Sequence, residues 1–145
     1  MKNILRIFAI ILLIFLGVGG IYGGWILISD PSGQKFQWTV ELLNGTPFNN
    51  FIIPGIVLFI VNGLLPLLIT VLVIIKVKNY SWFIILQGCV LIGWLTAEII
   101  FNKDLFHPAM HYPTYITGIL LVVIGVLLKI SENLKFLMKA HIYRQ

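Results

Sequence analysis

Four long apolar runs constrain this chain more than any other feature of its sequence. They cover about residues 4–28, 51–75, 81–101 and 113–130. Each run is long enough to cross a bilayer as a helix, which takes roughly 20 apolar residues. Only short connections and tails remain, so there is no room for a separate soluble domain. We therefore predict an all-α integral membrane protein, a four-transmembrane-helix bundle in one membrane domain, residues 1–145.

Composition and charge agree with a lipid environment. Hydrophobic residues make up 59% of the chain and charged residues 10%, whereas soluble domains carry about 25% charged residues. The formal charge of +5 would also suit nucleic acid, but the basic residues flank the apolar runs. We therefore expect the lipid bilayer as the partner and no nucleic acid. The single cysteine, Cys89, excludes an internal disulfide and any Cys-x-x-Cys motif.

The distribution of lysine and arginine predicts the orientation. With both termini in the cytoplasm, Lys35 and Lys103 lie outside, and the other basic residues lie inside: Lys2, Arg6, Lys76, Lys78, Lys129, Lys135, Lys139 and Arg144. This is the positive-inside pattern. We interpret the chain as a multi-pass protein of a bacterial inner membrane. Its tail, residues 131–145, reads as a basic amphipathic segment for the cytoplasmic membrane surface.

The first connection, residues 30–50, is predicted to form a lid on the outer end of the bundle. Asp30-Pro31-Ser32-Gly33 fits a type I turn. Residues 34–43 then show helical periodicity and stop at Asn44-Gly45. A helix this short cannot span the membrane, so we expect a short interfacial helix in this extracytoplasmic loop. Trp38 would lie at the level of the lipid headgroups.

Two backbone features of the apolar runs predict how the helices pack. Gly19, Gly20, Gly23 and Gly24 place small residues four apart, which lets two helix backbones approach closely. Their partner is either a helix of this chain or, through homo-oligomerisation or a partner membrane protein, a helix of another chain. In the second run, Pro66 lacks the N–H that would pair with the carbonyl of Asn62 in an α-helix, so we expect a kink there.

Ionisable and polar residues inside the third run suggest a site. Gln87, Trp94 and Glu98 are spaced seven and four apart and share one helix face. That face should point into the bundle, because a carboxylate facing lipid is costly. We take Glu98 as the first candidate for a ligand or proton site, with Gln87 and Trp94 beside it. Asp30 and Trp38 are candidates on the outer rim.

The third connection carries a possible metal-binding set. His107 and His111 are four apart, with Pro108 between them and Asp104 close by. Histidine and carboxylate are ligands of zinc and similar divalent metals. The sequence therefore offers His107, His111 and Asp104 as metal ligands near Glu98, although no His-Glu-x-x-His pattern is present.

Several functions fit these residues. No nucleophile motif and no phosphate-binding glycine loop accompanies them, which favours a non-catalytic binding or partner subunit with an acidic cavity facing outward. One alternative is a proton-coupled small-molecule transporter that uses Glu98. The other is an outer-leaflet metal-binding or lipid-active enzyme that uses Glu98, His107 and His111.

Three short motifs carry a family resemblance. The series Asp30-Pro31-Ser32-Gly33, Gly45-Thr46-Pro47-Phe48 and Phe51-Ile52-Ile53-Pro54-Gly55 resembles the first loop of a group of small bacterial four-helix membrane proteins. A tryptophan in their third span resembles Trp94, and the likeness extends from Gly23 to Gly118. The resemblance implies the four-helix fold and the loop between the first two spans, and it implies no activity.

Overall fold

The computed structural model describes the backbone of residues 2–142 and the side chains of residues 2–134. Its long helices are α1 (Lys2–Ser29), a composite second span over residues 52–74, α4 (Tyr80–Phe101) and α5 (Pro108–Ile142). Four helices in this described part are long and apolar enough to cross a membrane. The predicted all-α class is therefore confirmed, with four helices of the length and hydropathy that a membrane span requires. Residues 143–145, and the side chains of the predicted basic tail from residue 135 onward, lie outside the described part.

The second span consists of α2 (Ile52–Val57), a π-helical segment (Leu58–Leu64) and α3 (Leu65–Ile74). At the end of the π-helical segment, the N–H of Leu65 donates to the carbonyl of Ile60, five residues earlier. In the same register the next carbonyl belongs to Val61, and its donor would be Pro66, which has no N–H. The carbonyl left free by Pro66 is therefore that of Val61, and the sequence-based assignment to Asn62 was wrong.

The side-chain amide of Gln87, in α4, supplies the donor that this carbonyl lacks. Its Nε2 donates a hydrogen bond of 3.2 Å to the carbonyl oxygen of Val61. In the hydrocarbon region of a bilayer, no water is present to donate to a free carbonyl, so a side chain from a neighbouring helix must supply the donor. Gln87 thus links α4 to the second span at the position where the helical register changes.

Glycines bring α1 directly against the second span. A Cβ atom on Gly20 would overlap the backbone of Asn62, and one on Gly24 would lie 2.6 Å from the backbone nitrogen of Phe59. Gly20 and Gly24 therefore serve packing within this chain and are not available to another one. Gly23 lies next to Leu58, and a Cβ atom on Gly19 would have no neighbour within 4 Å.

A second close-packed pair forms from α4 and α5. A Cβ atom on Gly88 would lie 2.7 Å from the carbonyl oxygen of Gly118, so the two helix backbones almost touch at this point. The molecule therefore consists of two helix pairs, α1 with the second span and α4 with α5. The pairs meet where α3 packs on α4 and α1 packs on α5.

The main core fills the half of the bundle that carries the basic ends of the helices. There the two pairs interlock around apolar side chains of all four spans: Ala9, Leu13, Leu16, Ile69, Val73, Tyr80, Ile84, Leu91, Leu95, Leu121, Ile124 and Leu128. We call this the basic half. In the opposite lid half, the buried apolar cluster is small and contains Leu27, Leu43 and Phe51.

The first connection does not form the single interfacial helix that the periodicity of residues 34–43 predicted. It forms two short 3-10 turns, Gln34–Phe36 and Val40–Leu43. Gln37 adopts the left-handed conformation, with φ of 58°, and the N–H of Trp38 donates back to the carbonyl of Gly33 at 3.0 Å. This closed loop ends the first turn and lets Phe36 stack on Trp38, with ring centroids 5.1 Å apart.

The fourth span begins at Pro108, five residues before the predicted start at Pro113. Proline is favoured at the first position of a helix because its missing N–H has no intrahelical partner there. The N–H groups of Met110 and His111 both donate to the carbonyl of His107, at 3.0 and 2.9 Å. The third connection is therefore shorter than predicted, and His111 lies within the first turns of α5.

Candidate functional site

A cavity of about 430 Å³ lies between the two helix pairs in the lid half. All four spans contribute to its walls, and most of its lining is apolar. At the lid end, the chain between α1 and α2 closes the cavity with a set of mainly aromatic side chains: Phe36, Trp38, Leu43, Thr46, Phe48 and Phe51. The first connection therefore covers this end of the bundle as predicted, but it does not form the predicted helix.

Hydrogen bonds hold the lid in its shape. The carboxylate of Asp30 accepts from the hydroxyl of Ser32 and, at 2.7 Å, from the backbone N–H of Lys35. These two bonds, the hydroxyl first, lower the pKa of Asp30 below its ordinary value of 3.8. Asn102 at the end of α4 donates to the carbonyl of Leu42 at 2.9 Å. The ammonium group of Lys35 donates to the hydroxyl of Ser29 at 3.1 Å, so the lid is joined to α1 at one side and to the end of α4 at the other.

Phe51 closes the cavity beside the lid turn. Its side chain is 2% exposed, and its N–H donates to the carbonyl of Pro31 at 3.0 Å. Gly33 has φ of 82°, and a Cβ there would lie 2.8 Å from the ring of Phe51. Glycine at this position therefore permits both the left-handed turn and the close approach of the aromatic ring.

Glu98 and His111 form an acid–imidazole pair in the cavity wall. Oε2 of Glu98 lies 3.4 Å from Nε2 of His111, and the side chain of His111 is 1% exposed. Nδ1 of the same ring lies 3.2 Å from both the backbone nitrogen and the carbonyl oxygen of His107. The two side chains are therefore within ion-pair distance, although Nε2 of His111 has no hydrogen-bond partner among the described residues.

Asn62 adds a polar group deeper in the cavity. Its side chain is 1% exposed and lines the cavity. Among the described residues, neither its Oδ1 nor its Nδ2 has a hydrogen-bond partner. A buried amide without partners is costly, and this one faces a space that a ligand could fill. Asn62 was not among the site residues predicted from the sequence, although an asparagine within an apolar run was a visible signal.

The other predicted site residues are divided between the cavity and the surface. Trp38 and Trp94 line the cavity with Glu98. Gln87 is fully buried but is absent from the cavity wall, and its amide nitrogen is held by Val61. Asp30 is outside the cavity, in the turn that it stabilises.

The proposed metal ligands are not brought together. His111 lies in the cavity wall, whereas His107 and Asp104 are exposed on the third connection. In the part of the chain that the structure describes, no group of three or more His, Cys, Asp or Glu residues is arranged to hold a metal ion. The set of His107, His111 and Asp104 is therefore not a preformed metal site in this structure.

The arrangement is suited to holding a mainly apolar molecule with a polar end. An apolar body would contact the aromatic lid and the leucines of the wall, and a polar group would reach the Glu98–His111 pair. Comparisons with protein-family models, with curated proteins and with solved structures gave no match for this chain. The cavity itself is therefore the basis for assigning a function.

Proposed function

We propose that this chain is a non-catalytic membrane protein that binds a small amphiphile in the lid-half cavity. The observation that carries the proposal is an acid–imidazole pair, the half-buried Glu98 and the buried His111, in the wall of an otherwise mainly apolar cavity. The volume of about 430 Å³ falls within the range of small-molecule sites, roughly 300–1,000 Å³. Such sites combine an apolar lining with a few polar groups that orient the ligand.

The polar groups also indicate the chemistry of the head group. Glu98 is a carboxyl, His111 offers a ring nitrogen, and Asn62 offers an amide without partners. A cationic amine or a neutral hydrogen-bonding head is complementary to this set. Among the described residues, the cavity lining contains no lysine or arginine to pair with a carboxylate head, so a carboxylate head is disfavoured. We infer a ligand with an aliphatic chain and an amine or hydroxyl head.

The location of the protein is part of the same proposal. The excess of lysine and arginine at one end of the bundle supports a bacterial inner membrane with both termini in the cytoplasm. The lid would then lie on the outer side, and the ligand would enter from the outer leaflet. The likeness of the first loop to that of small bacterial four-helix membrane proteins agrees with this location.

Proton-coupled transport is the second candidate, and the Glu98–His111 pair favours it. A carboxyl and an imidazole in the cavity wall are titratable groups that could release a proton in exchange for a cationic ligand. The main core closes the inner end of the cavity through Leu16, Leu91 and Leu95, so transport requires a second conformation in which this core opens. Proteoliposomes with an imposed pH gradient separate the two functions, because a binder without transport activity gives no proton-coupled flux of the amine.

The binding test uses tryptophan fluorescence in nanodiscs. Trp38 and Trp94 line the cavity, whereas Trp25 and Trp82 are exposed on the outer surface. In a Trp25→Phe, Trp82→Phe background, we add dodecylamine, dodecanol and dodecanoate that carry bromine on the chain as a quencher. Saturable quenching by the amine and the alcohol, with weaker quenching by the acid, is expected.

Two variants make the test specific. Glu98→Gln should weaken binding of the amine about tenfold, because a hydrogen bond to a charged group contributes roughly 1.5–3 kcal/mol. Glu41→Gln is the matched control, since Glu41 is an exposed carboxylate of the lid outside the cavity. Quenching that does not saturate, or that is equal in wild type and Glu98→Gln for every probe, would contradict the proposal.

A further inference from the structure

A second pocket lies at the opposite end of the bundle, on the far side of the main core. Residues from the start of α1, from the connection between α3 and α4, and from α5 form its walls, and its volume is about 530 Å³. Its charged side chains are Lys2, Arg6, Lys76, Lys78 and Glu132. With four basic residues and one acidic residue, this basic pocket attracts an anion.

The one carboxylate in the pocket already has a partner. Oε2 of Glu132 accepts a hydrogen bond of 2.9 Å from the hydroxyl of Ser81, a residue with no exposed surface. Among the described residues, Glu132 forms no ion pair with Arg6 within 4.0 Å. The carboxylate therefore leaves the basic side chains of the pocket free to meet an external anion.

Two buried donors in the pocket have no acceptor. Tyr80 is 5% exposed, and among the described residues its hydroxyl has no hydrogen-bond partner. The same holds for Nε of Arg6. Buried donors normally find a partner in a folded protein, and here both belong to residues that line the basic pocket. Both donors are therefore available to an acceptor on a ligand bound in the pocket.

The surroundings place this pocket at the membrane surface. Trp82, in the first turn of α4, is exposed, and the ammonium group of Lys129 lies 5.7 Å from the centre of its ring. Nζ of Lys129 also donates to Oδ1 of Asn79 at 2.9 Å. An exposed tryptophan at a helix end, beside lysine, is typical of the headgroup region. An anionic headgroup at the depth of Trp82 therefore lies next to the pocket.

We propose that the basic pocket binds the phosphate of an anionic glycerophospholipid from the leaflet at this end of the bundle. A guanidinium group matches phosphate oxygens through several N–H donors, so Arg6 makes the central contact. The Tyr80 hydroxyl donates a further hydrogen bond, and Lys2, Lys76 and Lys78 supply longer-range attraction. Basic pockets between membrane helices bind phosphate-bearing headgroups in this way. This site is independent of the lid-half cavity.

The test measures lipid binding to the full-length, delipidated protein by native mass spectrometry in detergent. The probes are phosphatidylglycerol and phosphatidic acid, with zwitterionic phosphatidylcholine as the comparison lipid. We expect binding of the two anionic lipids to fall about tenfold in Arg6→Gln, since a charged hydrogen bond of this kind is worth roughly one order of magnitude in affinity. Lys103→Gln, an exposed basic residue at the lid end, is the matched control and should bind as wild type.

Tyr80→Phe keeps the proposal testable if Arg6→Gln does not fold. The substitution removes only a hydroxyl that has no partner among the described residues, so the lipid-free protein should unfold at an unchanged or higher temperature. Affinity for the anionic lipids should nevertheless fall several-fold, roughly the effect of one hydrogen bond. A purely structural role for Tyr80 would give the opposite pattern, with altered stability and unchanged lipid affinity.

Competition with a soluble phosphate ester distinguishes a lipid phosphate from a free phosphate ester as the bound anion. Glycerol 3-phosphate should compete only weakly with phosphatidylglycerol, because it lacks the acyl chains. Competition at equal concentration would overturn the lipid assignment in favour of a soluble phosphate ester. Equal binding of oleate, a phosphate-free anionic amphiphile, would overturn the phosphate assignment. Equal losses in Lys103→Gln and Arg6→Gln would overturn the site itself.

Discussion

The basic half and the lid half of this bundle are built from the same four spans but pack in different ways. In the basic half, side chains of all four spans interlock, and Ala9, Leu13 and Leu121 have no exposed surface. In the lid half, the glycines of α1 draw the second span close to α1, and a cavity separates this pair from α4 and α5. One half is a solid core, and the other is hollow.

This difference shows where the structure leaves packing incomplete. In the basic half, apolar side chains of the four helices bury one another's surfaces, as expected for a close-packed interior. The lid half keeps a buried imidazole, a carboxyl and an amide in the wall of a cavity. A cavity lined by such groups persists only if its polar atoms gain partners from a ligand or from water. The close-packed core and the amphiphile cavity therefore lie in opposite halves of the same helices.

The largest effect is expected where α1 meets the second span. In Gly20→Ala, the new Cβ meets the backbone of Asn62, which cannot move as a side chain could. We expect a loss of about 3 kcal/mol or more in unfolding free energy, at the upper end for overpacking. Gly19→Ala is the matched control, because nothing lies within 4 Å of its Cβ position, and it should be neutral or slightly stabilising. Circular dichroism during titration with sodium dodecyl sulfate measures both, and equal stabilities would contradict this packing.

A pair of alanine substitutions compares the two halves directly. Ala9→Leu adds volume to the solid core and should cost about 2 kcal/mol, a typical value for overpacking. Ala97→Leu adds the same volume at the cavity wall and should change the unfolding free energy by less than about 0.5 kcal/mol, within the range of substitutions that disturb no packing. The same unfolding titration applies to both. Equal destabilisation by the two variants would show that the lid half is as densely packed as the basic half.

A smaller effect is expected at the link between α4 and the second span. Gln87→Met keeps the length of the side chain and removes the donor to the Val61 carbonyl. Leaving that buried acceptor unpaired should cost about 1.5 kcal/mol. Thr70→Val is the control, because its hydroxyl bonds to the carbonyl of Pro66, which also accepts a regular helical hydrogen bond. If Thr70→Val destabilises more than Gln87→Met, the π-helical register is not the reason for the Gln87 contact.

The smallest effect concerns the lid turn and its dependence on pH. The pKa of Asp30 is lowered in the folded state, by the Ser32 hydroxyl and then by the N–H of Lys35. Its contribution to the lid is therefore complete above the ordinary value of 3.8 and is lost as the pH falls through the lower, folded-state pKa. Hydrogen exchange should show the Lys35 amide becoming less protected under acidic conditions. Asp30→Asn should remove this pH dependence, and Glu41→Gln should leave it unchanged.

The sequence predicts the four spans well, because length and hydropathy determine which segments enter a bilayer. It also indicates that Glu98 faces the interior, since a carboxyl is costly in lipid. Local details were less predictable. The left-handed Gln37 interrupts the predicted lid helix, and Pro108 rather than Pro113 begins α5. Both depend on backbone hydrogen bonds that hydrophobic periodicity does not report.

The cavity groups show a second limit of sequence reasoning. The heptad-like spacing of Gln87, Trp94 and Glu98 places them on one helix face, but only Trp94 and Glu98 reach the cavity. Gln87 is held by Val61, because a π-helical segment in another span exposes that carbonyl. A change of helical register depends on tertiary packing, so the role of Gln87 could not be inferred from α4 alone.

The most direct test of the hollow lid half is the location of a bound amphiphile. A dodecylamine with a photoreactive diazirine on its chain is added to the protein in nanodiscs and irradiated, and the modified residues are identified by mass spectrometry. We expect modification of cavity-lining residues such as Leu58 and Leu95, reduced in Ala97→Leu. Modification confined to outward-facing residues such as Leu86 and Ile100, at equal levels in both proteins, would contradict a ligand in the cavity.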